Sequence, residues 1–95
     1  MHVISRKKLK EAALRRDDLG GPLDAWFRVA KKASRRNLAD VRETFSSADA
    51  LGKWTVFNIK GNQYRLIAEI NYVCGRLYIR HVLTHAEYDR GGWKR

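Results

Sequence analysis

The sequence predicts an α+β fold, with two to three N-terminal helices packed on a mainly antiparallel sheet that ends in a three-stranded meander and a short C-terminal helix. Three observations predict it. Apolar residues in the first half recur at helical spacing, as in Leu23, Trp26, Phe27 and Ala30 at i, i+3, i+4 and i+7. From Trp54 onward β-branched and aromatic residues dominate, and the period becomes that of strands. Two glycine-bearing turns, Gly61-Asn62 and Cys74-Gly75, divide this second half into three runs.

The elements follow in order. His2, Val3 and Ile4 make a short opening strand, and Ser5 stands where a helix N-cap belongs. A first helix spans 6–16, with Leu9, Ala12 and Ala13 on one face; it breaks at 17–21, where Gly20 and Gly21 lead into Pro22. Proline suits the first turn of the second helix, because its fixed φ is already helical and its missing N–H is not needed there. Asn37 caps a third, short helix carrying Leu38, Val41 and Phe45, and residues 46–53 read as a loop. The strands are then 54–59, 64–73 and 76–84.

The turns fix a register, since a one-residue slip sends every side chain to the opposite face. With Gly61-Asn62 as a tight turn, Ile59 faces Tyr64, Phe57 faces Leu66 and Asn58 lies beside Arg65. A two-residue turn at Cys74-Gly75 pairs Leu66 with Leu83, Ile70 with Ile79 and Glu69 with Arg80, and puts His81 opposite Ala68 as a buried, hydrogen-bonded histidine. One face then holds Phe57, Ile59, Leu66, Ala68, Ile70, Leu77, Ile79 and Leu83 for the helices to cover. The other holds Trp54, Asn58, Arg65, Glu69, Tyr78, Arg80 and Thr84 around Val56, Ile67 and Val82, an open face bearing arginines.

Ninety-five residues suit one domain over 1–95. With 44% hydrophobic residues the chain can bury a core, and disorder is excluded as its main state. Twenty Lys and Arg against ten Asp and Glu give a net charge of +10, and the sequence pI is near 10.3. The excess is not a tail, because residues 1–48 carry twelve basic and six acidic groups and residues 49–95 carry eight and four. Nucleic acid is the first partner to consider for such a charge. Cys74 is the only cysteine, so no internal disulfide and no cysteine-rich zinc cluster can form, which points to a cytoplasmic setting. No apolar run is long enough to span a membrane, and a membrane partner is not expected. His2, His81, His85 and Cys74 show no metal-ligand spacing, and no phosphate-binding glycine loop is present, so no metal and no cofactor are expected.

The chemistry concentrates after the last strand. Thr84 can cap a short helix with Glu87 at the capping-box position, and His85 and Tyr88, three apart, share one face of that turn. Arg65 and Arg80 come from the neighbouring strands. Histidine, tyrosine and arginine together suit RNA cleavage, in which a 2′-hydroxyl loses a proton, the phosphorus centre gains charge, and the leaving 5′-oxygen gains a proton. Histidine titrates near neutrality, and arginine offers a fork that matches phosphate. The catalytic candidates are Arg65, Arg80, His85 and Tyr88; the RNA-binding candidates are Asn58, Lys60, Asn62, Arg90 and Lys94. Each also has an ordinary structural reading: Glu69 with Arg80 as a cross-strand pair, Glu87 as a cap, and Trp54, Tyr78 and Trp93 as packing groups rather than base-stacking ones. Lys31, Lys32, Arg35 and Arg36 complement the dipole of the second helix, whereas Arg6, Lys7 and Lys8 oppose that of the first, an arrangement that suits an anionic partner.

The second half, with Val56-Phe57-Asn58-Ile59, Gly61-Asn62, Tyr64-Arg65-Leu66-Ile67 and Tyr78 through Asp89 followed by Trp93, resembles HigB-type toxins of the RelE/ParE-like group. The likeness runs over most of the chain and is tightest from residue 54 onward. It implies a RelE-like fold and an mRNA interferase that inhibits translation by cutting messages on the ribosome. It also implies silencing by a cognate HigA-type helix-turn-helix antitoxin, with operator DNA reached only through that complex. Asn62, Arg65, His85, Tyr88 and Asp89 match the motif. A noncatalytic basic RNA- or ribosome-binding module and a ParE-like toxin directed at gyrase remain as alternatives.

Overall fold

A computed structural model describes residues 1–32 and 37–94. The chain runs β1 (His2–Ile4), α1 (Arg6–Arg15), α2 (Gly20–Lys32), α3 (Leu38–Thr44), β2 (Asp49–Leu51), β3 (Trp54–Ile59), β4 (Tyr64–Asn71), β5 (Arg76–Thr84) and α4 (His85–Arg90), closing on a 3₁₀ turn over Gly92–Lys94. The α+β architecture is the expected one, with helices from the N-terminal half on a sheet and a short helix at the end. Arg35 and Arg36, assigned above to the second helix, lie outside the described residues.

The sheet has five strands in the order β1-β5-β4-β3-β2, antiparallel except where β1 runs parallel to β5. The meander is therefore extended on both edges. The segment read as a loop, 46–53, contains β2, which pairs with β3 through Leu51↔Trp54 and turns at Gly52 with φ +62. A three-residue strand ending in such a tight turn has too little alternation to be seen in sequence.

Leu9, Ala12, Leu23, Trp26, Ala30 and Val41 pack on Phe57, Ile59, Leu66, Ala68, Leu77 and Ile79, all buried. Trp26, Phe57 and Phe45 meet edge to face, with centroids 5.4 Å apart for Trp26–Phe57 and 5.1 Å for Phe45–Phe57. Asn37 caps α3 as predicted, its side-chain oxygen accepting from the Asp40 N–H at 3.0 Å. Ser5 occupies the N-cap position of α1 but makes no side-chain cap bond; its φ of 73° is left-handed, and it serves as the corner between β1 and α1.

The β3–β4 register is the predicted one, with Ile59↔Tyr64, Phe57↔Leu66 and Asn58↔Arg65. The β4–β5 register is not. The connection is the four residues 72–75, so Asn71 pairs with Arg76, Ile70 with Leu77 and Glu69 with Tyr78. This even displacement keeps faces intact, which is why Leu77 and Ile79 still reach the core. A bulge then follows, because Ala68 pairs with Ile79 whereas Ile67 pairs with His81, leaving Arg80 as the extra residue. One added residue reverses the faces beyond it. His81 and Leu83, expected in the helix-covered core, turn to the opposite face, and Val82 takes the core side instead.

That opposite face is not left open, as the sequence reading had it. Val56, Ile67 and Trp93 form a second buried cluster, joined by Trp54, Leu83 and Tyr88, with α4 and the 3₁₀ turn laid over it. Trp93 stacks on Tyr88 at 5.3 Å and 15° and donates its indole N–H to the Tyr88 carbonyl at 2.9 Å. Among the described residues no helix is long and apolar enough to cross a membrane.

Candidate functional site

Two backbone connections build the site, the β3–β4 turn and the junction of β5 with α4. Thr84 ends the strand and caps the helix at once. Its hydroxyl accepts from the Glu87 N–H at 3.2 Å while the Glu87 carboxylate accepts from the Thr84 N–H at 2.9 Å, the capping box foreseen from the spacing. Those bonds hold the Glu87 carboxyl below its ordinary pKa, since each favours the ionised form. The first helical residue, His85, donates its backbone N–H to the Gln63 carbonyl at 3.0 Å, which ties α4 to the β3–β4 turn.

Arg65 lies where the two connections meet. It pairs with Leu83 on β5 and is 9% exposed, buried for so long a cation. Its guanidinium donates to the Asn62 carbonyl at 3.1 Å, to the Tyr64 carbonyl at 3.2 Å and to Asn62 Oδ1 at 3.2 Å. Asn62 Oδ1 also accepts from Asn58 Nδ2 at 3.4 Å. The Tyr88 ring covers the guanidinium at 5.5 Å, a cation–π distance. Arg65 has no carboxylate partner among the described residues, so its charge is oriented by neutral acceptors and left uncancelled.

His85 is half exposed, and its Nδ1 lies 2.9 Å from Asp89 Oδ2, one helical turn on. In the neutral ring this bond places the proton on Nδ1 and leaves the Nε2 lone pair free to take a proton. Asp89 matched the motif above but was given no role among the catalytic or binding candidates; its i,i+4 spacing from His85 is the sequence signal for this pair.

The structure thus brings together Asn58, Asn62, Arg65, His85 and Tyr88. Arg80 is held elsewhere. Its Nε lies 3.2 Å from Glu69 Oε1 and its guanidinium covers Tyr78 at 5.1 Å, on the far side of the bulge. The Glu69–Arg80 pair exists, although Glu69 faces Tyr78 and reaches Arg80 diagonally. Lys60, in a left-handed conformation with φ 53, sends its ammonium to Asp18 Oδ2 at 2.8 Å, while the Tyr64 hydroxyl donates to Asp18 Oδ1 at 2.9 Å. Together these hold the Asp18 carboxyl below its ordinary pKa, the Lys60 bond being the larger cause. Arg90 is exposed in the last turn of α4, and Lys94 lies over the Trp93 ring at 5.7 Å. His81 sits edge-on to Trp54 at 6.2 Å and near Trp93 at 6.5 Å; burial, then the charges of Lys8 and Arg80, push its pKa below 6.5.

The arrangement offers an exposed imidazole with a free nitrogen, a phenol beside it on the same helix, and a preset guanidinium with N–H groups to spare for an anion. Comparison with known proteins agrees in kind. A family described as HigB toxin, the RelE-like toxic component of a toxin-antitoxin system, matches residues 20–91. An mRNA interferase HigB of Escherichia coli O6:H1 is 33% identical over 93 residues, covering 95% of this chain and 90% of that one. The mRNA interferase toxin HigB of Escherichia coli K12 is 35% identical over 92 residues, covering 94% of this chain and 88% of its own.

Proposed function

We propose that this chain, which belongs to the HigB family of RelE-like toxins, is the toxin of a type II toxin-antitoxin pair and inhibits translation as an mRNA endonuclease. The observation that carries the reading is the His85 Nδ1–Asp89 Oδ2 bond of 2.9 Å on α4, the helix whose Tyr88 ring covers the buried, uncancelled Arg65. His85 Nε2 takes the proton of a ribose 2′-hydroxyl, whose oxygen attacks the adjacent phosphorus. The P–O5′ bond breaks, leaving a 2′,3′-cyclic phosphate, and the departing O5′ takes a proton from the Tyr88 hydroxyl. Arg65 stabilises the charge that builds on the phosphoryl oxygens, and because Asn62 and the turn carbonyls already orient it, little reorganisation is needed during reaction. Asp89 is a positioning residue that fixes the imidazole.

Asn58, Asn62, Arg90 and Lys94 contribute to the RNA grip around this centre, Lys60 borders it from the turn, and Arg80 attracts RNA more distantly through its charge. The full 1–95 stretch acts as one domain in the cytoplasm, where message and ribosome are found. The ribosome supplies alignment of the message, so cleavage of free RNA is slower. A cognate HigA-type antitoxin silences the toxin, and contact with operator DNA runs through that complex alone.

The test is 5′-end mapping of cellular mRNA after brief induction of the wild type and of His85→Ala. New ends within translated frames that vanish in the variant support the reading. Growth arrest without new ends rejects it in favour of gyrase as target or of RNA binding without chemistry, and a DNA-damage response distinguishes these two.

A further inference from the structure

The turn that bears Asn62 is strained, and it is gripped from the helical side of the sheet. Residues 60–63 join β3 to β4, and the first two, Lys60 and Gly61, are left-handed with φ 53 and 64. Glycine takes that conformation freely, whereas the Cβ of a lysine opposes it, so contacts outside the turn must hold Lys60 there. Asp18, in the connection between α1 and α2, supplies them. Its Oδ2 accepts from the Lys60 ammonium at 2.8 Å, and its two oxygens accept from the Tyr64 hydroxyl at 2.9 and 3.1 Å. These partners stand at either end of the turn, 42 and 46 residues along the chain from Asp18. Asp18 is itself held in place. Its neighbour Leu19 is 1% exposed in the helix-covered core, and the Leu19 N–H donates to the Arg16 carbonyl at 3.1 Å. The bonds from Lys60 and Tyr64 lower the Asp18 pKa, so the carboxylate is charged at neutral pH and grips both ends at once.

Tyr64 carries that grip through the sheet. Its ring packs in the helix-covered core, while its backbone carbonyl accepts from the Arg65 guanidinium at 3.2 Å. Successive side chains of a strand point to opposite faces, so Tyr64 faces the helices where Arg65 faces the site. The other acceptors of Arg65 are the Asn62 carbonyl and Asn62 Oδ1. All three acceptors thus lie within 60–64, the stretch whose two ends Asp18 holds. We propose that Asp18 is a positioning residue for RNA cleavage: from the opposite face of the sheet it sets the β3–β4 turn, and through the turn the plane of the Arg65 guanidinium. This rests on the endonuclease reading above. A guanidinium matches phosphate as a planar fork, so a small tilt of the turn misaims both of its donors. Lys60 becomes a tether in this scheme, its charge cancelled by Asp18. Asp18 acts through Arg65 and not on the message, so its loss is felt in the rate at saturating substrate and not in affinity.

Two measurements on the full chain test this: cleavage kinetics on ribosome-bound message, and the NMR signals of the Arg65 guanidinium. Asp18→Ala lowers kcat by roughly ten- to a hundredfold with KM little changed. Tyr64→Phe, which keeps the ring in its packing, gives a smaller loss of the same kind. In an Arg65→Ala background the Asp18→Ala loss largely disappears, because the group it positions is gone. Asp24→Asn removes a carboxylate that pairs with Arg28 on α2; it leaves kcat unchanged, which separates the tether from a mere change of net charge. In the spectrum, the three acceptors keep the wild-type guanidinium N–H signals distinct, and Asp18→Ala merges them while the core methyl signals stay in place. A kcat equal to the wild type's, a change in KM alone, or a loss that multiplies in full with that of Arg65→Ala overturns the inference and leaves the endonuclease reading standing. A wild type that cuts no message defeats that reading and the cleavage role with it, and the guanidinium signals still report whether Asp18 holds Arg65.

Discussion

The two faces of one sheet are built on different terms. On the helix-covered face Leu66, Ala68, Leu77 and Ile79 are all fully buried, and three helices close over them. On the other, the buried apolar cluster among the described residues is Val56, Ile67 and Trp93, under a six-residue helix and a single 3₁₀ turn. The first face stores the hydrophobic free energy, at about 1.5–3 kcal/mol per large aliphatic side chain buried. The second holds a buried arginine, an exposed histidine and a stacked tyrosine, groups that give little stability and all of the candidate chemistry. Stability and activity are therefore separable by face, and substitutions can test that division.

The largest effect falls on the thin face and on rate. His85→Ala lowers single-turnover mRNA cleavage by about 10²–10⁴-fold and leaves the urea midpoint nearly unchanged, since the side chain is half exposed. The strongest stability effect falls on the other face: Leu66→Ala costs about 2–5 kcal/mol by urea unfolding, because the truncated side chain leaves a cavity among close-packed neighbours. Trp93→Ala sharpens the contrast. It frees residues 85–94 to exchange amide hydrogens and cuts cleavage, while global stability falls by less than in Leu66→Ala; a global loss as large would mean that the thin face is core after all. Arg65→Lys is subtler, since an ammonium cannot span the Asn62 and Tyr64 acceptors with a planar fork. Cleavage drops about tenfold or more with the fold retained, read as kcat at saturating substrate.

The smallest effect is one of pH. Burial holds the folded-state pKa of His81 below the 6.5 of the free side chain, so below pH 6.5 the unfolded chain binds a proton more readily than the folded one. Stability is lost as pH falls from 6.5 through the folded pKa, and His81→Gln flattens that part of a melting-temperature profile. A profile with the same slope in the variant places the titrating group elsewhere.

Much of the fold could be read from the sequence because local chemistry and global packing agree. Asn37 caps where it should, the Leu23–Ala30 stripe is buried, and the Gly61-Asn62 turn fixes the β3–β4 register. What could not be read was the bulge at Arg80, since nothing in Leu77-Tyr78-Ile79-Arg80-His81-Val82-Leu83 distinguishes an extra residue from ordinary alternation; the residues beyond it, His81, Val82 and Leu83, are the ones whose faces were misassigned. Nor did alternation reveal that Trp93, beyond the last strand, folds back as a lid. For the site, the Thr84–Glu87 box and the His85–Tyr88 spacing were visible, whereas the commitments of Arg80 to Glu69 and Lys60 to Asp18 depend on tertiary neighbours 11 and 42 residues away.

Thr84 belongs to β5 and caps α4 in the same residue, so no linker separates the sheet from the helix that carries His85. The helix therefore inherits the strand's phase, and the chain between the bulge and His85 behaves like a toothed rack in which each residue is one fixed step. Shortening it by a single residue at the bulge would bring His85 out on the wrong side of the sheet, whereas a residue lost from the exposed tip at Val73-Cys74 leaves that phase untouched. An exchange of residues at this junction keeps His85 in phase with the sheet, whereas a change in their number carries it to the opposite face.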